Sequence, residues 1–121
     1  MFVWQNNNAQ PANGNVSNFG SCPAPQIQFG KGLPGRNPNE LAFAAADLTA
    51  FPHDAALNIA VITDSTCLDL INRCGLKNDS DGVQVCRRAQ DAAANATKGG
   101  AQADAFNAVI GFTTNFAAVT A

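Results

Sequence analysis

Apolar and polar positions follow one rhythm after residue 40 and no regular rhythm before it. Leu57, Val61, Leu68 and Ile71 recur at helical spacing, with Cys67 and Cys74 beside them, and predict a helix with that face turned to a core. Its boundaries agree. Pro52 and Asp54 precede it, Asp54 acting as N-cap or first-turn anion; Arg73 complements the C-terminal dipole and Gly75 takes the C′ position. Upstream, "NPNELAFAAADL" predicts a shorter helix capped by Asn39 and running to about residue 48. Downstream, the loop "GLKNDSDG" leads through a cap at Asp79, Ser80 or Asp81 into "VQVCRRAQDAAANATK". There Cys86, Ala89, Ala93 and Ala96 form a small-residue stripe suited to close helix packing. A last segment, "AQADAFNAVIGFTTNF", offers Phe106, Val109, Ile110 and Phe112 to the core. About four helices with short connections predict a mainly α fold, a small helical bundle.

Residues 1 to 39 hold five of the six prolines and half of the ten glycines, so no helix is expected there. Phe2, Trp4, Val16, Phe19, Ile27, Phe29 and Leu33 nevertheless recur in this stretch, which is too apolar for a disordered tail. The expectation is one domain over 1–121: an irregular arm over 1–39 laid on a bundle over 40–121, with short strands around 2–5 or 26–29.

The cysteines narrow the picture further. In an intact helix, seven residues at about 1.5 Å rise set Cys67 and Cys74 about 10 Å apart, beyond disulfide reach. Each must therefore bond to another element. Equal depth in an antiparallel hairpin favours Cys67–Cys86 with Cys22–Cys74; a later start of the second helix gives Cys22–Cys67 with Cys74–Cys86 instead. The spacing suits no structural zinc site, because there is no C-x-x-C and the lone His53 has no histidine partner. Two structural bridges are the expected use of four cysteines in a chain with secreted character, and no metal or other cofactor is implied.

Charge and chemistry point the same way. Charged residues are 13% of the chain, about half the usual globular share, and the net charge is −2. Nucleic acid and anionic membrane demand a basic excess that is absent, and no apolar run reaches the length of a membrane span. The opening "MFVWQNNNAQ" has no signal-peptide pattern and reads as a mature N-terminus. Sequons at Asn15, Asn78 and Asn95 mark acceptor sites for N-glycosylation and fit a secreted protein. His53 is the only side chain with an ordinary pKa near neutrality, and no nucleophile is marked beside it. Asp64 and Asp69 lie about 140° apart round their helix, poorly placed to act as a carboxylate pair. "GKGLPGR" has the glycines of a phosphate loop without its G-K-[ST] ending. No catalytic constellation emerges, so a non-enzymatic binding role is expected. Arg73, Lys77, Arg87 and Arg88 flank the hairpin turn and are the first candidates for contact with an acidic partner; Lys31 and Arg36 are the second.

The stretches "SCPAPQIQFGKGLPGR" (21–36), "FPHDAALNIAVIT" (51–63), "CLDLINRCG" (67–75) and "AQADAFNAVIGFTTNF" (101–116), with "FVWQNNN", cover most of the chain. They resemble a group of small secreted fungal cysteine-containing proteins without established catalytic activity. Length and composition are similar to those of sweet-tasting representatives of that group. The resemblance implies a secreted, disulfide-stapled, non-enzymatic protein that activates the sweet-taste receptor of an animal; a monomer is expected. The alternative is a fungal cell-wall or secreted structural protein, or a host-directed effector. No taste-recognition motif carries over to particular residues.

Overall fold

The computed structural model describes residues 19–119. A strand expected around 2–5, the sequon at Asn15 and the apolar residues Phe2, Trp4 and Val16 lie outside the described residues. The architecture is mainly helical, with a two-stranded antiparallel sheet: β1 (Ile27–Gly30), β2 (Ala42–Ala45), α1 (Ile59–Asn72), α2 (Asp81–Asn95), α3 (Gly100–Ile110) and a 3-10 turn at Phe116–Ala118.

Residues 42–45 are a strand, not the short helix capped by Asn39 that their alanines predict. Ile27 pairs with Ala45 and Phe29 with Phe43. On the other edge, Phe43 and Ala56 exchange both backbone hydrogen bonds, at 2.8 and 2.9 Å. All four β2 residues are buried. Alanine's preference for helix is worth only tenths of a kcal/mol per residue against most alternatives. Pairing on both edges and burial on both faces outweigh it, so the described residues hold three α-helices where about four are expected.

The same bridge delays α1. Residues 55 and 56 belong to the edge of β2, and the helix begins after Asn58, whose Oδ1 accepts from the Ala60 N–H at 2.9 Å; Asp54 is not its cap. The face of α1 is also corrected. Ile59, Ile62, Thr63, Thr66, Cys67 and Leu70 are buried, whereas Leu57, Val61 and Leu68 are 56%, 45% and 41% exposed. Apolar side chains run almost all round this helix. The buried face is chosen by what β2 and α2 offer it, not by periodicity.

The α1 helix ends with Arg73 as its C-cap, so Gly75 stands two residues past the cap rather than at the predicted C′ position. Gly75 sits at φ +84°, and the Leu76 N–H donates back to the Leu70 carbonyl. Ser80 occupies the N-cap position of α2 in extended conformation without a side-chain cap bond. Cys86, Ala89 and Ala93 are buried, Cys86 facing α1 through its disulfide, whereas Ala96 of the expected stripe is the C-cap and only partly buried. Gly99 and Gly100 start α3 rather than only ending α2: a β-carbon on Gly100 would overlap the Phe116 carbonyl. Phe106 and Ile110 are buried, with Val109 and Phe112 partly so.

Cys67–Cys86 joins α1 to α2, and Cys22–Cys74 joins the segment before β1 to the end of α1. This is the first of the two pairings that the spacing left open. Beside the second bond the Ser21 N–H donates to the Cys74 carbonyl at 3.0 Å, and Phe19 is buried. The described part of the proline-rich stretch, 19–39, is thus integral to the core, contributing Phe19, Ile27 and Phe29.

Candidate interaction surface

The six basic side chains expected to meet a partner fall into two kinds. Arg36 pairs with Glu40 at 2.9 Å, which holds the Glu40 carboxyl below the ordinary carboxylate range, chiefly through that hydrogen bond. Arg87 turns across the hairpin to Asp64 at 2.9 Å and also donates to Gln90 at 2.8 Å. Arg73, Lys77, Arg88 and Lys31 are exposed, and among the described residues none has a carboxylate within ion-pair distance. Arg73 is the C-cap residue of α1, and Lys77 lies four residues on, in the turn before α2. Those two form the free cationic end of the hairpin. Arg88 lies beside the paired Arg87 on α2, and Lys31 follows β1 in the other half of the molecule.

A row of exposed apolar side chains runs up α1 towards that cationic end. Val61 and Leu68 line an open groove of about 630 Å³ with His53, Asp64, Ser65 and Gln90. Leu57 continues the row beyond the helix start. The exposed apolar residues of α1 and the two exposed cations beyond its end are a candidate contact surface. Sequence periodicity locates these three residues but assigns them to the core. Nothing in the spacing shows that β2 and α2 fill the opposite face.

Below the Val61–Leu68 row lies an unsatisfied acid. Asp69 Oδ2 is buried without a hydrogen-bond partner. Burial raises its carboxyl above the ordinary aspartate value, and the nearby charges of Arg73 and His53 offset only part of that rise. His53 itself is exposed, with Nδ1 2.6 Å from the Asp54 carbonyl oxygen. Among the described residues neither is hydrogen-bonded to a serine, threonine or cysteine side chain. All four cysteines are oxidised, so no thiolate is offered to a substrate or a metal. Among the described residues no three His, Cys, Asp or Glu side chains come together as a metal site. No described helix is long and apolar enough to cross a membrane. The sequon residues Asn78 and Asn95 are exposed, one in the α1–α2 turn and the other at the last position of α2.

No family model, no curated protein and no solved structure matches the chain.

Proposed function

We propose that this chain is a secreted, non-enzymatic protein of fungal type that acts as a monomer by surface contact, and that its partner is the animal sweet-taste receptor. The observation that carries surface binding is the exposure of Leu57, Val61 and Leu68 on the hairpin whose far end carries Arg73 and Lys77, cations without an ion-pair partner among the described residues. The identity of the partner rests on the sequence resemblance. Two disulfides are compatible with an extracellular setting and hold the row on a stapled hairpin, which lowers the ordering cost of binding.

The test is a cell-based receptor response to the purified, oxidised protein. Lys77→Glu and Leu68→Ser should each reduce potency about tenfold or more, the loss of one well-placed contact. Lys77 is the cleaner cationic probe, because the Arg73 charge also favours ionisation of Asp69 inside the protein. Arg36→Glu should leave potency within about twofold, since Arg36 already holds Glu40. Absence of any response to the unaltered protein would exclude the receptor. Normal potency of both Lys77→Glu and Leu68→Ser would exclude this patch.

A further inference from the structure

Two adjoining cavities, of about 280 and 390 Å³, open where α1 begins and where α2 gives way to α3. Asn58, Ile59, Lys98 and Gln102 line both and form their common wall. The smaller cavity is otherwise apolar, with Phe29, Leu41, Phe43 and Leu57 around it. The larger is mixed, with Thr63, Gln90 and Asp91 beside Ala60 and Ala94.

The wall between them is electrically positive. Lys98 is exposed, and among the described residues no carboxylate lies within ion-pair distance of it. Asn58 Oδ1 is engaged with the Ala60 N–H, and its Nδ2 has no hydrogen-bond partner among the described residues. Gln102 is held in place: its Nε2 donates to the Ala93 carbonyl at 3.0 Å and its Oε1 accepts from the Gly99 N–H at 3.4 Å. Asp91 is the one acidic residue lining either cavity, and it stands in the larger. An anion is therefore attracted to the wall and repelled from the larger cavity, so the rest of the ligand must extend into the apolar one.

We propose that this groove binds a small amphipathic monocarboxylate, with its apolar body against Phe29, Leu41, Phe43 and Leu57 and its carboxylate on Lys98 and Asn58. The larger cavity shares Ala60 and Gln90 with the Val61–Leu68 groove, and Leu57 belongs to the exposed row as well, but the proposal stands whether or not the receptor is the partner. Apolar burial supplies most of the affinity, and the charge-assisted hydrogen bond to Lys98 selects the head group.

Amide chemical shifts of the intact, oxidised protein titrated with octanoate test the proposal. Octanoate should produce saturable shifts at Phe43, Asn58, Lys98 and Gln102. Acetate lacks the apolar body and octanol lacks the charge; each should bind at least about tenfold more weakly. Lys98→Glu, an exposed change that leaves the core untouched, should weaken octanoate by about tenfold or more, whereas Lys98→Arg should retain it within about threefold. Equal octanoate affinity of the unaltered protein and Lys98→Glu would overturn the proposal. Shifts confined to Val61, Asp64 and Leu68, or no saturable binding at all, would do so as well.

Discussion

Asn107 holds Ile27 by both of its backbone groups. Its Oδ1 accepts from the Ile27 N–H at 2.8 Å and its Nδ2 donates to the Ile27 carbonyl at 2.9 Å. The side chain of α3 thereby acts as a strand partner on the free edge of β1, across 80 residues of chain, and both residues are fully buried. Asn107→Leu would leave a buried donor and a buried acceptor without partners. The expected loss is about 2–4 kcal/mol of unfolding free energy, read by urea denaturation. Asn107→Asp should cost at least as much near neutral pH, because it removes the donor and buries a charge.

The two disulfides should differ in worth. Their cysteines are 19 residues apart for Cys67–Cys86 and 52 apart for Cys22–Cys74. Loop-closure entropy assigns them about 3 and about 4 kcal/mol respectively. Paired Cys→Ala variants compared by chemical denaturation should preserve that order. The Cys22/Cys74 double variant should also release the Ser21–Cys74 hydrogen bond, seen as faster amide exchange at Ser21.

Asp69 sets a pH dependence with a definite sign. Its carboxyl is raised in the folded protein, so folded Asp69 holds its proton more tightly than unfolded Asp69. The favourable contribution is therefore full below the unfolded value, and it is lost as pH rises through the raised value. Asp69→Asn should raise Tm at about pH 7, and the gain should vanish near pH 3, where the parent carboxyl is protonated in both states. Thermal melts of both proteins at the two pH values check this. A gain that grew on acidification would contradict it.

Glycine substitutions should separate close approach from open strand. Gly100→Ala drives its β-carbon into the Phe116 carbonyl and should destabilise by about 1–3 kcal/mol. Gly30→Ala meets no atom within 4 Å at the end of β1 and should be neutral or stabilising by up to about 1 kcal/mol, through the unfolded chain. Thermal denaturation of the pair measures the contrast.

The sequence makes the helical hairpin legible because its punctuation is local. Gly75 at positive φ and Ser80 in extended conformation do their work within a few residues of where they stand. It conceals β2, because Ala42–Ala45 become a strand only once Ile27–Gly30 and Ala56 arrive from elsewhere in the chain. It also hides the orientation of α1. With Ile59, Ile62 and Leu70 on one side and Leu57, Val61 and Leu68 on the other, either face would serve as a core. The candidate surface was therefore readable as residues but not as a surface. Of the basic cluster, charge alone could not show that Arg87 reaches Asp64 while Lys77 reaches no acid among the described residues. The role of Asn107 carries no local signal at all.

The two cross-links interleave. Along the chain the cysteines come in the order 22, 67, 74, 86, and each bond opens before the other closes. As the polypeptide emerges, the first thiol to follow Cys22 is Cys67, which is the wrong partner, and Cys74 arrives seven residues later. First-come oxidation therefore selects against the native set. Correct maturation requires α1 to form before the bonds lock, or a catalyst that exchanges them afterwards. The yield of active protein from a heterologous host will follow that host's capacity for disulfide isomerisation more closely than its rate of synthesis.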